Sequence, residues 1–223
     1  MPNIALFVTL VIMLILPAKK LIRNEIEVKR SRFITSMLRT ETEDDARDFI
    51  DSIRKEFPDA RHHCTAFVIH GDPNNILRSN DDGEPSQTAG KPMLEVLVGH
   101  ELVNVTAVCT RYFGGTLLGT GGLVRAYGDS VSKAIELAPL FQLKKLSCFL
   151  LEAHISLAGQ LESQLRSHEI IEVIDTEYTS RSITLKLACP PSEETLLEPF
   201  IANLTKGAYQ LQKIGVKYQE VKR

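Results

Sequence analysis

The segment Arg111-Tyr112-Phe113-Gly114-Gly115-Thr116-Leu117-Leu118-Gly119-Thr120-Gly121-Gly122 holds five glycines in the nine positions from 114 to 122. Glycine admits positive φ and lets a second backbone come close. β-rich residues precede the glycines and an amphipathic stretch follows them, so a strand should turn tightly into a helix here. The free amides of a helix start, together with its dipole, favour an anion. A phosphate, from a nucleotide or an RNA backbone, is the matching guest. Gly114, Gly115, Gly119, Gly121 and Gly122 would leave room at the amides. Thr116 and Thr120 would add hydroxyl donors, and Arg111 and Arg125 would add positive charge. The segment is neither a Walker loop, since no G-K-[ST] ends it, nor G-x-G-x-x-G. A tight connection without a ligand is the competing reading.

Two further groups could carry chemistry. In Arg61-His62-His63-Cys64 the adjacent histidines of a strand point to opposite faces, so they do not share one metal. Asp81, Asp82 and Glu84 lie in a polar loop followed by Thr88-Ala89-Gly90-Lys91-Pro92. These three acids would suit a Mg²⁺ that keeps several waters, although the spacing is not that of an EF-hand. No resident cofactor is otherwise implied. His62, Asp81, Asp82, Glu84 and Lys91 could line one pocket, with His62 or a carboxylate as general base. No nucleophile partners them; Ser86 and Cys64 are candidates only by default. Whether the chain is an enzyme is therefore open.

The elements that would position these residues follow from periodicity. Alternation over Leu21–Val28 and an extended run over Phe33–Leu38 predict a hairpin, turned at Lys29 to Arg32. Residues 19 to 39 carry seven basic side chains against two acidic ones. Lys29, Arg30 and Arg32 make that hairpin a basic patch. Thr42 begins a T-x-x-D capping pattern for a helix whose inner face is Ala46, Phe49, Ile50 and Ile53. His63–His70 reads as a buried strand, Gly71–Gly90 as a long loop, and Lys91–His100 as a short helix. Asn104–Phe113 reads as a central strand. The helix after the glycines runs to about Leu137 and packs through Leu123, Tyr127, Val131 and Ile135. From Leu140 the order becomes β-α-β-β-α-β, the ferredoxin-like pattern.

Bulk properties set limits. The chain has 223 residues, 43% hydrophobic and 24% charged, with a net charge of −2. That is an ordinary globular composition, enough for two small domains. Nucleic-acid binding would have to rest on a local patch. Cys64, Cys109, Cys148 and Cys189 form no C-x-x-C pair, which favours reduced core thiols in a reducing compartment, the cytoplasm. Ile4–Leu16 is apolar apart from Thr9. It is shorter than a membrane span and lacks signal-peptide flanks. A membrane role is disfavoured, and an N-terminal extension or an extra buried segment is expected instead.

Taken in order, Arg61–Cys64, Ser79–Pro85, Thr88–Pro92 and Arg111–Gly122 closely resemble the YigZ/IMPACT family. The likeness runs from about Leu16 to the C-terminus and includes Lys29-Arg30-Ser31-Arg32-Phe33-Ile34. It implies an α+β, two-domain protein. The N-terminal Impact domain would be a two-layer α/β unit resembling domain IV of elongation factor G, and the C-terminal domain would be ferredoxin-like. The expected division is an apolar extension over 1–17, the Impact-type domain over 18–139 and the ferredoxin-like domain over 140–223. The resemblance further implies regulation of translation, which eukaryotic members carry out by binding another protein, and nucleic-acid binding as the usual proposal for bacterial ones. Gln87 stands where many bacterial relatives have a small residue, a departure that weakens any backbone role for that position.

Three functions fit these readings. One is a translation-associated binder of RNA or the ribosome, using the Gly-rich helix start and the basic hairpin. Another is a protein-interaction module without a nucleic-acid site. The third is a Mg-dependent enzyme acting on a phosphorylated small molecule. The five basic and six acidic side chains between 61 and 127 weigh against the first. The oligomeric state is not encoded in any motif.

Overall fold

A computed structural model of the chain describes residues 13–222. Most of the apolar run Ile4–Leu16 lies outside the described residues. The chain divides into two compact units, formed mainly by Ile12–Gln142 and by Leu143–Val221. The division falls three residues after the boundary expected at 139/140.

In the N-terminal unit, β1 (Leu14–Ile15) is short but integral. Leu14 donates to the Glu101 carbonyl at 2.8 Å and accepts from the Val103 amide at 2.9 Å. Leu14, Ile15 and Leu16 are buried. The end of the segment expected as an extension therefore belongs to the folded unit, because three consecutive apolar residues find a core there.

The sheet of this unit has the order β2-β3-β6-β4-β5, antiparallel throughout. Its strands are β2 (Ile22–Val28), β3 (Ser31–Arg39), β4 (His62–Ile69), β5 (Ile76–Asn80) and β6 (Val105–Tyr112). The turn between β2 and β3 is only Lys29-Arg30, both at positive φ (48° and 67°). Such paired left-handed positions make the two-residue hairpin that matches strand twist.

Strand β5 was expected as part of a structureless loop over 71–90. It pairs with β4 from Ile69↔Ile76 to Thr65↔Asn80. Only Ile76 and Leu77 are apolar, and the strand is an exposed edge, so it carries no alternation signal.

Helix α1 (Glu43–Glu56) starts as expected. The Thr42 hydroxyl accepts from the Asp45 amide at 3.1 Å, and the Asp45 carboxylate accepts from the Thr42 amide at 3.0 Å. Its Phe49 and Ile53 pack on Val108 of β6. The next residue along β6, Cys109, faces the other way and meets Ser130 of α3 (Thr120–Glu136). On that same face α2 (Gly90–Gly99) packs beside α3. Thus α2 and α3 form one helical layer on the sheet, and α1 covers the opposite face. The Phe33 and Tyr127 rings meet edge-on at 5.1 Å in the α3 layer.

The C-terminal unit follows the βαββαβ pattern. Strand β7 (Phe141–His154) is followed by α4 (Ala158–Arg166), β8 (Glu172–Tyr178), β9 (Ser182–Cys189), α5 (Glu194–Thr205) and β10 (Tyr209–Lys222). Four strands in the order β10-β7-β9-β8 make the ferredoxin-like arrangement. Strand β1 also pairs with β7, only at its first residues, Phe141 and Gln142, which belong to the N-terminal unit. Leu151, Leu161, Leu165, Leu185, Leu187 and Ile201 are fully buried between sheet and helices.

Candidate functional site

In the N-terminal unit the end of β6, the start of α3 and the loop before α2 surround a cleft of about 490 Å³. Its walls include His62, Gly83, Glu84, Arg111, Gly119 and Thr120, with Arg61, Phe113 and Leu117 around them. A single pocket of His62, Asp81, Asp82, Glu84 and the Gly-rich loop is one expectation from sequence; of these, His62, Glu84, Gly119 and Thr120 line the cleft, whereas Asp81 and Asp82 do not.

One wall is the beginning of α3. Gly119 occupies the N-cap at φ 74° and supplies no side-chain cap, and the first turn carries no acid. The orphan amides there remain available to an anion. A Cβ built at Gly115, Gly119 or Gly121 meets no atom within 4 Å, so these glycines border open space. Gly114 is different: a Cβ there would lie 2.0 Å from the Arg30 carbonyl carbon. It is a packing glycine, and its amide donates to Ser31 Oγ at 3.2 Å. At Gly122 a Cβ would come within 3.0 Å of Leu118 Cβ. Thr116 and Arg125 are exposed and do not line the cleft.

The contact at Gly114 also sets the basic hairpin tip, Lys29-Arg30, against the start of the Gly-rich loop. Lys29 and Arg30 are exposed. Arg32 is engaged with Glu25 at 2.7 Å and stands over the Tyr112 ring at 5.4 Å.

The opposite wall is polar and buried. Arg111, expected as a free phosphate ligand, is instead 5% exposed, and its Nη1 donates to Glu84 Oε1 at 2.5 Å. Its guanidinium sits 5.3 Å from the Phe33 ring centre and 5.8 Å from that of Phe113. Arg111 Nε is buried without a hydrogen-bond partner among the described residues. The residue reads as a strand-end charge in sequence, but its paired neighbours are Phe33 on β3 and His62 on β4, which enclose it in the sheet.

Tyr127 donates to the same Glu84 oxygen at 2.8 Å. Burial pushes the Tyr127 hydroxyl far above the usual phenol range, helped by the nearby Cys64 thiol. Cys64 Sγ lies 3.2 Å from Tyr127 Oη and 3.0 Å from the Asp81 carbonyl. Burial raises that thiol well above its ordinary value too. A thiol so placed is a poor nucleophile. Ser86 is exposed and does not line the cleft. Tyr127 was read from sequence only as a core residue; its hydroxyl role carries no pattern signal.

The two histidines part as expected. His62 Nδ1 is 2.8 Å from the Asp82 carbonyl, so it must carry the proton. His62 Nε2 then faces Glu84 Oε1 at 4.0 Å. His63 Nε2 meets the Phe57 carbonyl at 3.1 Å, and burial lowers its pKa.

The acidic loop is largely structural. Asp81 accepts amides from Gln87 at 2.7 Å, Ala89 at 3.0 Å and Gly90 at 2.8 Å. Asp82 accepts the His63 amide at 2.6 Å and Arg54 at 3.0 Å. With Glu84 held by Arg111 and Tyr127, the three carboxylates serve separate partners. Among the described residues no group of three His, Cys, Asp or Glu is placed to hold a metal ion. Lys91 reaches Gln87 at 3.2 Å and stays outside the cleft. Gln87 itself has φ 62°, a left-handed backbone that glycine adopts at no steric cost.

Among the described residues no helix is long and apolar enough to cross a membrane. The four cysteines are free and buried.

Comparison with known proteins agrees with this architecture. Residues 29–135 match the Impact N-terminal domain, a span containing every residue of the cleft wall. The chain is 36% identical to the IMPACT family member YvyE of Bacillus subtilis, over 88% of this chain and 89% of that one. It is 38% identical to the IMPACT family member YigZ of Escherichia coli, over 84% of this chain and 92% of the other. A crystal structure of a protein described as hypothetical superposes with a TM-score of 0.58 at 37% identity, covering 91% of this chain and 97% of that one. The ordered motifs, the fold and these likenesses agree, and the chain belongs to the IMPACT family.

Proposed function

We propose that this chain is a translation-associated regulatory protein that binds RNA, free or in the ribosome, with a backbone phosphate at the start of α3. The observation that carries the reading is the uncapped N-terminus of that helix, opening on a cleft and bordered by glycines that leave space. An acceptor-only group such as phosphate suits a wall made of donors. Arg61, Lys29 and Arg30 supply positive charge nearby, which the overall balance of −2 does not. Phe113 is 46% exposed, enough of its ring for a base to stack on. The translation side of the reading comes from the family, whose motifs imply it.

A protein-docking role is the second reading. Leu117 is 83% exposed at the cleft mouth, where a partner's apolar side chain would cover it.

Binding of the purified chain to total RNA and to ribosomes across a salt series tests the first reading. Affinity that falls steeply with salt supports it. No binding at low salt, together with a protein captured through Leu117 and lost in Leu117→Ser, would replace it with the second.

A further inference from the structure

The cleft has a chemical polarity that a phosphate alone does not satisfy. Its α3 wall offers donors, the amides around Thr120 and Gly121. Its opposite wall offers acceptors. The Glu84 side chain is 4% exposed, and both of its hydrogen bonds, from Arg111 and Tyr127, end on Oε1. Among the described residues Oε2 accepts none. His62 Nδ1–H is tied to the Asp82 carbonyl, so in the neutral ring Nε2 is an acceptor as well. Oε2 is not sealed from solvent, so it stays open to a donor from a ligand in the cleft, and a hydrogen bond to a charged group is among the stronger ones.

A matching ligand carries both a phosphate and a hydroxyl donor. We propose that the cleft selects ribose over deoxyribose: the 2′-hydroxyl of the nucleotide whose phosphate sits at the α3 start donates to Glu84 Oε2, with His62 Nε2, 4.0 Å from Oε1, as a second acceptor in the cleft. Arg111 neutralises the Glu84 charge, so the carboxylate does not repel the phosphate. The 2′-hydroxyl is the group by which a protein tells RNA from DNA at a given site. This inference rests on the phosphate reading proposed above.

The test compares three short single-stranded oligonucleotides of one sequence: RNA, DNA and 2′-O-methyl RNA. The expected result is RNA binding about tenfold or more tighter than either of the others, the order of a buried hydrogen bond lost. In Glu84→Gln, and in His62→Ala should the first variant fail to fold, the RNA advantage should shrink while residual binding keeps its salt dependence. Equal affinity for all three overturns ribose selection and leaves the phosphate reading standing. RNA and 2′-O-methyl RNA binding alike, both above DNA, also overturns it, because sugar conformation would then be what is read. No binding of any oligonucleotide at low salt overturns both readings together.

Discussion

Arg111 Nη1 lies 2.5 Å from Glu84 Oε1, with the two side chains 7% and 4% exposed. An ion pair this buried changes what a substitution reports. Arg111→Ala would strand the Glu84 carboxylate, at a cost of about 3 to 5 kcal/mol. Arg111 is therefore a structural residue as well as part of the cleft wall. The double variant Arg111→Met with Glu84→Gln should be less destabilised than Arg111→Ala, since no charge is left unpaired. Urea denaturation of the wild type and both variants measures this.

The glycines should divide by stability. Gly114→Ala places a methyl carbon against the Arg30 backbone, 2.0 Å from its carbonyl carbon. Neither backbone can yield without moving the β2–β3 turn, so a large loss of thermal stability is expected. Gly121→Ala meets nothing within 4 Å and lies inside a helix. It should leave stability unchanged or raise it by up to about 1 kcal/mol, the helix propensity gained. Thermal melts followed by circular dichroism separate the two.

The basic hairpin tip can lose its charge without losing its turn. Lys29→Asn with Arg30→Gly keeps residues that tolerate the observed positive φ. The fold should be retained, while RNA affinity drops and the slope of log affinity against log salt falls by about one for each phosphate contact removed. A slope identical to the wild type would place the RNA path elsewhere.

His63 gives stability a pH dependence of known sign. Burial lowers its pKa, and the hydrogen bond to the Phe57 carbonyl and the Asp82 charge offset only part of this. The unfolded chain therefore takes up the proton first. The His63 contribution is full above about pH 6.5 and is lost as pH falls below that value toward the folded pKa. Glu25 and Glu56, both held low by arginine partners, act in a separate, more acidic window below the ordinary carboxylate range. Urea midpoints from neutral to mildly acid pH should decline, and His63→Asn should flatten that decline.

The thiols should be inert in the native state. All four cysteines are buried, and burial pushes Cys109 up to about 11 and Cys64 higher still. Iodoacetamide at mildly alkaline pH should label them only after denaturant is added. Rapid native labelling of Cys64 would mean that the Tyr127 layer opens.

Much of this fold is legible in the sequence because its patterns are local. Thr42 and Asp45 announce the start of α1, and the alternation through Ile22, Asn24 and Ile26 announces β2. The Gly-rich segment marks the helix start that walls the cleft. What stayed hidden depends on distant partners. Nothing near Arg111 says that Glu84, 27 residues away, will take its charge. Nothing near Tyr127 says that its hydroxyl will meet the same carboxylate. Strand β5 escaped because an edge strand of mostly polar residues leaves no periodic trace.

The three amides gathered by Asp81 have a kinetic meaning. By gripping residues 87, 89 and 90, that single carboxylate closes the 81–90 segment into a ring, with Gly83, Glu84 and Pro85 inside it. The acceptor side of the cleft is thus preorganised before any guest arrives, and little ordering entropy remains to be lost on that side. Association should be governed by diffusion and electrostatic steering, without a slow closing step.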